Sequence, residues 1–295
     1  MTSGFTIVRN AEILDYPLTE SVCSALPLCD EFIISCGDSR DNTLGICNAL
    51  QADHPDKIRL NFVEWDEKQQ RGGYQLQHHT NEALKECRGN WCLYLQADEV
   101  IHEEDYALIQ TAQNRAGELS AVDGIVFEYE HFYGNYSFTI QGRNWYRREV
   151  RLFKNGRSIQ AFRDAQGFRR EGKRLRAISS GARIFHYGYV RTVQTMEAKA
   201  IEMARWWGNS PQLSAASLIP RRHFGLRRYN ETHPSQMSSR IGRSSGLCDP
   251  SQSRRVWNTD EIKNCVTFCW ESVFRFRIGE FRNYELVAGG KFLPK

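Results

Sequence analysis

The sequence lacks several features that would place a protein in a particular class. No apolar run approaches the roughly 18 residues that a membrane-spanning helix needs. The N-terminus has no basic segment followed by an apolar one, so we expect no secretory signal. The nine cysteines form no CxxC pair and no zinc-binding spacing. We therefore expect a cytoplasmic protein that can also lie peripherally at the inner face of a membrane. We expect its cysteines to be mostly small core residues.

Charge is unevenly distributed along the 295 residues. Residues 211–295 hold 14 Lys and Arg against 7 Asp and Glu, a net charge of +7. The whole chain has 39 basic and 35 acidic residues, so residues 1–210 keep 25 basic and 28 acidic ones, a net charge of −3. A basic segment of this kind favours an anionic partner, either lipid headgroups or a diphosphate, and less readily nucleic acid.

Apolar runs alternate with helical patterns over the first 125 residues. The predicted strands cover 5–10, 30–39, 58–66 and 91–100, and the predicted helices between them cover 15–26, 40–54 and 74–90. Strands separated by helices of this length indicate βαβ units and a parallel sheet, which is an α/β fold. Ligands of such sheets bind beyond the carboxyl ends of the strands.

Acidic and polar residues follow these predicted strands. They are Arg9 with Asn10, Asp38 with Asp41, Asp66, and Asp98 with Glu99. The adjacent carboxylates at 98 and 99 form an oxygen-rich position where Mg²⁺ or Mn²⁺ can bind with help from substrate phosphates. The alternative is that Asp98 caps the following helix and that Glu99 is solvated.

Three segments of the first half resemble a known enzyme family. "FTIVRNAEI", "DEFIISCGDSRDNT" and "TNEALKECRGNWCLYLQADEV", within residues 5–105, resemble the nucleotide-sugar domain of inverting family 2 glycosyltransferases. The resemblance implies the GT-A fold, which is α/β with a mainly parallel central sheet and helices on both faces. It implies transfer of a sugar, with inversion and with Mn²⁺ or Mg²⁺, from a nucleotide-diphosphate donor to a saccharide or lipid-linked hydroxyl acceptor. The implied context is polysaccharide, lipopolysaccharide or glycan synthesis.

The resemblance also implies roles for the residues that bind the nucleoside. Asp38 would recognise the base and ribose, and Asp41 would either assist there or only cap a helix. Arg9 and Asn10 would lie against the nucleoside. Arg71, in the glycine-containing loop "RGGYQ", would lie near the diphosphate, unless this loop is a plain turn.

The implied D-x-D motif is incomplete. Asp98 matches its last acid, which binds the metal and the diphosphate, but Gln96 stands in place of the first acid. Gln96 can hydrogen-bond a ribose hydroxyl and brings no charge, so Glu99 would partly take over as a metal ligand. His186, at the end of an apolar strand, would be the third ligand or else a structural histidine. Arg191 would contact the diphosphate through its guanidinium.

An inverting transfer needs a general base that takes the proton of the acceptor hydroxyl. The acids between the D-x-D motif and the late histidine are Glu128, Glu130, Glu149, Asp164 and Glu171. Of these we select Asp164, because "QAFRDAQGF" is loop-like and falls near the usual position of the family's acid. The alternative for Asp164 is a salt bridge with Arg163 or Arg169, and Glu149 is expected to pair with an arginine.

The residue composition changes in the second half of the chain, which suggests a domain boundary. We predict a GT-A domain over 1–210, with a nucleotide-binding half at 1–105 and an acceptor half at 106–210, and a basic, aromatic, mostly helical extension over 211–295. In the extension, "RRHFGLRR" and "FRFRIGEFR" interleave Arg with Phe, which favours a peripheral membrane contact over a dimer face. The competing functions are a non-catalytic nucleotide-sugar-binding protein and a nucleic-acid-binding protein, although we expect no nucleic acid partner. A nucleotidyltransferase would need an N-terminal glycine-rich loop, which "FTIVRNAEI" lacks.

Overall fold

A computed structural model of the chain describes residues 1–66, 68–69, 72–209, 218–274, 277, 280 and 282–287. Helices pack on a central β-sheet. The strands are β1 (Thr2–Val8), β2 (Glu31–Gly37), β3 (Ile58–Val63), β4 (Trp91–Tyr94), β5 (Glu99–Ile101), β6 (Gly124–Tyr133), β7 (Asn135–Ile140), β8 (Arg148–Lys154), β9 (Ile159–Phe162), β10 (Gly167–Arg170), β11 (Lys173–Tyr189), β12 (Leu226–Arg228) and β13 (Tyr284–Leu286). The α-helices in the described part are α1 (Leu18–Ala25), α2 (Thr43–Asp53), α3 (Tyr74–Lys85), α4 (Tyr106–Glu118), α5 (Val193–Trp207), α6 (Ser238–Arg243) and α7 (Thr259–Phe274).

The sheet is parallel in its first half and mixed beyond it. Its strand order is β3-β2-β1-β4-β8-β6-β11-β10-β9. Strands β1 to β4 are parallel, and β8 runs antiparallel between β4 and β6. Strand β11 is parallel to β6 and antiparallel to the short strand β5. The carboxyl ends of β1, β2 and β4 therefore meet at one edge, as the sequence predicts.

Alternating side chains of the parallel strands enter two separate cores. In β2, Phe32 and Ile34 pack in a core that includes residues of α1, α2 and α4, whereas Ile33 packs in a core that includes residues of α3 and α5. Strands that are buried on both faces read as continuous apolar runs, which explains the "FIIS" pattern. The predicted α/β fold, with helices on both faces of a central sheet as expected of a GT-A domain, is confirmed.

The segment 91–100 is two strands instead of the single predicted strand. Strand β4 ends at Tyr94, and the chain leaves the parallel sheet after the amide of Leu95 donates to the carbonyl of Phe5 (3.2 Å). Strand β5 then pairs with β11, where Glu99 lies opposite His186. The strand is interrupted here because residues 99–101 pair with β11 and not with β1 or β8. Asp98 therefore lies in the turn that connects β4 to β5.

The C-terminal part is less helical than predicted. It contains α6 and α7, but β12 pairs with β7 and β13 pairs with β11, so this part adds strands to the sheet. The predicted boundary between residues 210 and 211 lies outside the described residues. Within the described part of the chain, no helix combines the length and the apolar character needed to cross a membrane.

Candidate functional site

A cavity of about 310 Å³ opens where β1 and β4 end, and α5 forms its far wall. Five of the predicted site residues line this cavity. They are Arg9, Gln96, Asp98, Asp164 and His186. The position agrees with the general rule that open α/β sheets bind ligands beyond the carboxyl ends of their strands.

Arg9 organises one end of the cavity. Its Nη1 donates to Oε1 of Glu202 (2.6 Å), and its Nε donates to Oδ1 of Asp38 (3.2 Å). The guanidinium carbon lies 5.9 Å from the ring centroid of Trp65 and 5.2 Å from that of Trp206. The Asp38 side chain is 42% exposed and also accepts from the backbone N–H of Trp65 (3.1 Å). Asp38 does not itself line the cavity, but it is paired with Arg9, which does, so this end has an exposed carboxylate close to two indole rings.

Two residues predicted to bind the nucleoside hold the turns around this end instead. Asn10 adopts a left-handed conformation (φ 54°), and its side-chain oxygen accepts from the N–H of Arg40 (2.9 Å). The carboxylate of Asp41 accepts from the N–H groups of Ile13 (2.8 Å) and Thr43 (3.0 Å). Neither residue lines the cavity. Asp41 holds the turn just before α2, where it accepts from the N–H of the first helical residue, Thr43, while the N-cap position itself is Asn42 and has no side-chain capping bond.

Asp98 lies at the other end among positive charges. Its Oδ2 is 3.1 Å from Nζ of Lys199 and 3.8 Å from a guanidinium nitrogen of Arg191. Burial alone would raise the pKa of Asp98, but the charges of Lys199 and Arg191 outweigh burial and hold this pKa well below its usual range. Burial and Arg191 lower the pKa of Lys199 to about 8. At neutral pH the site thus contains an ionised carboxylate and a charged ammonium.

A chain of hydrogen bonds fixes the tautomer of His186. Nε2 of His131 lies 2.6 Å from the carbonyl oxygen of Tyr146, which can only accept, so this nitrogen carries the proton. Burial lowers the pKa of His131 to about 4, so the ring is neutral and its Nδ1 is an acceptor. The Nδ1 atoms of His131 and His186 are 3.0 Å apart, so His186 donates there. Burial also holds the pKa of His186 well below its usual value, which leaves Nε2 of His186 with a free lone pair.

This lone pair faces Asp98. Nε2 of His186 is 3.7 Å from Oδ1 of Asp98, and both atoms are acceptors. A Cβ on Gly188 would lie 2.6 Å from Nε2 of His186 and 2.8 Å from Oδ2 of Asp98, so only glycine leaves this space open. Two acceptor atoms that face each other can share a divalent cation. The hydrogen bond that Nδ1 of His186 donates to His131 orients the imidazole for this role, as is common for metal-binding histidines. Among the described residues there is no group of three or more His, Cys, Asp or Glu placed for a metal ion, so the protein would supply two ligands.

Glu99 is not one of these ligands, which corrects the sequence prediction. Its side chain is fully buried, and both oxygens accept from the Arg151 guanidinium at 2.8 Å. The same carboxylate accepts from the hydroxyl of Tyr129 (2.7 Å) and the N–H of Gln96 (3.1 Å). Glu99 therefore faces the core because it belongs to β5, whereas Asp98 faces the cavity from the preceding turn.

Arg191 lies buried beneath the cavity and acts on the site through its charge, 3.8 Å from Asp98. Its side chain is fully buried, its Nε donates to the carbonyl of Leu14 (2.7 Å), and its Nη1 donates to the carbonyl of Gly188. It does not line the cavity, so the predicted direct contact with a diphosphate is replaced by a charge that acts through Asp98. The predicted contact of Arg71 lies outside the described residues.

Asp164 projects into the cavity from a strained turn between β9 and β10. Its two neighbours, Arg163 (φ 58°) and Ala165 (φ 59°), both have left-handed conformations that non-glycine residues rarely adopt. A Cβ on Gly73 would lie 2.8 Å from the Asp164 Cβ, so the glycine loop before α3 packs directly against this residue. Arg169, one of the ion-pair partners considered for it, donates to the carbonyl of Asn283 (2.6 Å). Strain of this kind is concentrated at functional sites.

The other acids considered as general base do not line the cavity. Glu149 is fully buried and accepts from the side-chain amides of Gln166 (3.0 Å) and Asn283 (3.0 Å), where we expected an arginine. Glu128 and Glu130 line a neighbouring depression that shares His131, Trp145 and Tyr146 with the cavity. Glu171 lies in an exposed turn.

Helix α5 contributes residues that sequence reasoning did not single out. Lys199, Glu202, Met203 and Trp206 all line the cavity. Their spacing of three, four and seven residues places them on one face of a helix. The available signal was a helix face that carries a lysine and a glutamate beside apolar residues. This signal does not identify a site by itself, because the partners of the two charges, Asp98 and Arg9, are far away in the sequence.

Comparison with known proteins gives a fold-level likeness only. No protein-family model matches the chain, and no curated protein matches it. Staphylococcus aureus TarS aligns with 13% identity and a TM-score of 0.39 over 74% of this chain and 41% of the TarS chain, so this chain spans less than half of that protein. The Pyrobaculum calidifontis mannosyltransferase PcManGT, solved with GDP-Man and Mn²⁺, aligns with 15% identity and a TM-score of 0.42 over 74% of this chain and 72% of the other.

Mycobacterium tuberculosis glucosyl-3-phosphoglycerate synthase, solved with Mn²⁺, UDP and phosphoglyceric acid, is a third structure with this likeness. It aligns with 15% identity and a TM-score of 0.32 over 44% of this chain and 43% of the other. Alignments at this level do not decide an activity. The function proposed below rests on the geometry of the cavity.

Proposed function

We propose that the protein is a glycosyltransferase that moves a sugar from a nucleotide-diphosphate donor to a hydroxyl acceptor. The observation that carries the proposal is one cavity in which three kinds of group converge. Asp98 and His186 present acceptor atoms, Lys199 presents a positive charge, and Asp164 presents a carboxylate. Sugar transfer from a nucleotide needs these functions together: charge stabilisation of a leaving diphosphate and a base for the acceptor.

The nucleoside would bind at the end of the cavity near Arg9. Asp38 is the exposed carboxylate there, and its oxygens can accept from ribose hydroxyls or from a base N–H. The indole of Trp65, which is 6% exposed and stacked on His79, forms part of the cavity wall beside it and offers an apolar contact there. Gln96 lines the same cavity and can hydrogen-bond a hydroxyl without adding charge.

The diphosphate would bind at the end near Asp98. Asp98 and His186 would hold Mn²⁺ or Mg²⁺, ions that usually complete their coordination with phosphate oxygens and water. Such a cation, when bound, supplies positive charge to the leaving group. Lys199 adds a second positive charge from the protein itself, because its Nζ is held by Asp98 and by the carbonyl of Gly188 (3.1 Å). Arg191 keeps Asp98 ionised from behind.

Asp164 is the residue that we propose as general base. As the acceptor oxygen forms its bond to the sugar C1, the bond from C1 to the diphosphate oxygen breaks, and the carboxylate takes the acceptor proton. A single displacement of this kind inverts the configuration at C1. The left-handed residues on both sides of Asp164 and the contact with Gly73 hold the carboxylate in position, which lowers the entropic cost of reaching the reactive arrangement.

The test is a thermal-shift panel of UDP- and GDP-sugars with and without Mn²⁺, followed by a transfer assay on the donor that binds. We expect a nucleotide diphosphate to raise the melting temperature, since a ligand that binds only the folded state stabilises it. Asp164→Asn should keep this shift and lose transfer by about 10²-fold or more. If no nucleotide diphosphate raises the melting temperature, the proposal fails. Full transfer by the Asp164→Asn variant would remove Asp164 as the base.

A further inference from the structure

The carboxylate of Asp98 has more positive charge around it than it can balance. Its Oδ2 lies 3.1 Å from Nζ of Lys199 and 3.8 Å from Nη2 of Arg191. One negative charge therefore faces two positive ones. A carboxylate attracts Mg²⁺ or Mn²⁺ through its negative charge, and the two cations already use that charge.

The two cations are held in different ways. Arg191 is fully buried, and its guanidinium is fixed by bonds to the carbonyls of Leu14 (2.7 Å) and Gly188. Lys199 reaches Asp98 from α5 on the far wall of the cavity, and its side chain is partly exposed. A lysine ammonium is carried on a flexible stem of four carbons. Lys199 is therefore the cation that can exchange Asp98 for another anionic partner.

Much of the environment of Lys199 does not depend on Asp98. Nζ also donates to the carbonyl of Gly188 (3.1 Å), and it lies 5.3 Å from the ring centroid of Tyr16 and 5.6 Å from that of Tyr189. Aromatic faces attract an ammonium at such distances. The ammonium has three N–H donors, and among the described residues only Asp98 and the Gly188 carbonyl accept from it. Lys199 can thus leave Asp98, remain in the cavity and donate to a phosphate oxygen.

The position proposed for the divalent cation uses the same carboxylate. Oδ1 of Asp98 lies 3.7 Å from Nε2 of His186, whereas Oδ2 faces Lys199. A cation between Oδ1 and the imidazole and an ammonium on Oδ2 would share one negative charge and repel each other. Each of the two partners therefore weakens the binding of the other to Asp98.

We propose that Lys199 competes with the divalent cation for Asp98, so that the cation binds tightly only together with a nucleotide diphosphate. The second clause rests on the proposed glycosyltransferase activity, because the diphosphate supplies the anion to which Lys199 turns. Without a nucleotide, Lys199 keeps the affinity of Asp98 and His186 for Mn²⁺ low. A diphosphate provides both a partner for the ammonium and further ligands for the cation. The diphosphate and the cation then bind with positive coupling, which acts equally on both.

The experiment is a titration of the full chain with Mn²⁺ alone, in which electron paramagnetic resonance measures the free ion. We expect weak binding by the original chain and about tenfold tighter binding by Lys199→Met and Lys199→Gln, since both remove the competing charge. Lys199→Gln keeps a donor for the Gly188 carbonyl, so agreement between the two variants assigns the effect to charge. The matched control is Lys85→Met on α3, which removes a lysine paired with Glu82 on the surface and should bind Mn²⁺ as the original does.

Two further measurements separate the parts of the proposal. Asp98→Asn combined with Lys199→Met should abolish the gained affinity, because Asp98 is the shared partner. The Mn²⁺ titration is then repeated with saturating UDP or GDP, after correction for the Mn²⁺ that the free nucleotide binds. The nucleotide should raise the Mn²⁺ affinity of the original chain, and it should raise that of Lys199→Met about tenfold less. Thermal melting without metal verifies that each variant is folded.

Three outcomes would overturn the proposal. These are an unchanged Mn²⁺ affinity in both Lys199 variants, a lack of Mn²⁺ binding by every variant, and a gain that persists after Asp98→Asn. A bound nucleotide that leaves the Mn²⁺ affinity of the original chain unchanged would overturn the coupling. If neither UDP nor GDP binds while Lys199→Met gains affinity for Mn²⁺, the competition holds and the glycosyltransferase proposal fails, so the two failures are distinguishable.

Discussion

Asp98 and Glu99 are neighbours in the chain, yet they lie in two regions with different chemistry. Asp98 faces the cavity, where Lys199 can still be reached by water because its side chain is 17% exposed. Glu99 faces the core, where its partner Arg151 is fully buried. Adjacent acids at a strand end therefore divide into one that faces a cavity and one that forms a buried ion pair in the core.

Glu149 extends the comparison within the core. Glu99 has a guanidinium partner, whereas the hydrogen bonds that Glu149 accepts from the described residues come from two neutral amides. Burial raises the pKa of Glu149 to about 7, because desolvation disfavours the charged carboxylate. Glu99 is thus a paired core carboxylate, whereas Glu149 is a core carboxylate whose charge depends on pH near neutrality.

The largest effect is expected from breaking the buried pair. Glu99→Gln leaves the Arg151 guanidinium buried without its counter-charge, and loss of one partner of such a pair costs about 3–5 kcal/mol. Urea titration of the folded chain measures this loss in the free energy of unfolding.

The matched change at the neighbouring position is Asp98→Asn. We expect a smaller loss than that of Glu99→Gln, because water in the cavity can solvate Lys199. The buried Arg191 keeps its hydrogen bonds to the carbonyls of Leu14 and Gly188. Equal losses for the two variants would show that the two carboxylates are both structural and would break the comparison.

The second effect is a dependence of stability on pH that Glu149 controls. In the folded chain Glu149 releases its proton at a pKa of about 7, and in the unfolded chain at 4.5. Between these values the folded state holds a proton that the unfolded state has lost, so raising the pH favours unfolding, by about 3 kcal/mol over the whole interval.

Urea titrations at about pH 5 and about pH 7.5 measure this fall against the variant Glu149→Gln, which cannot ionise. The variant should lose less stability over this interval than the original chain, and the difference between the two isolates Glu149 from the histidines that also titrate. Parallel curves for the two proteins would mean that Glu149 is ionised in the folded state throughout.

The sequence was sufficient for the parts of the fold that are set by local patterns. Apolar runs and helical spacing located β1 to β4 and α1 to α3, and the rule about strand ends placed Arg9 and Asp98 at one edge. These predictions succeeded because buried strands and helices with one apolar face each produce a characteristic spacing of apolar residues, which can be recognised within a short stretch of sequence.

The pairings across the chain could not be predicted in this way. Glu99 and Arg151 are 52 residues apart, and Asp98 and Lys199 are 101 residues apart. No local pattern shows that the chain leaves the parallel sheet after Leu95, because that break depends on the position of β11. The separation of Asp98 from Glu99 is decided by this tertiary event, so the sequence alone grouped them as one metal site.

The smallest of these effects concerns the positive charge beside Asp98. Lys199→Met keeps the length of the side chain and removes the ammonium that Asp98 and the Gly188 carbonyl hold in the cavity. We expect about tenfold weaker binding of the nucleotide diphosphate, since one charge-assisted contact with the phosphates is lost. Lys85→Met on α3 is the matched control, because Lys85 pairs with Glu82 on the surface and is remote from the cavity lining. A titration that gives both variants the affinity of the original chain would assign Lys199 to the structure of the cleft, and the cavity around Asp98 would then differ from the core around Glu99 only in its access to water.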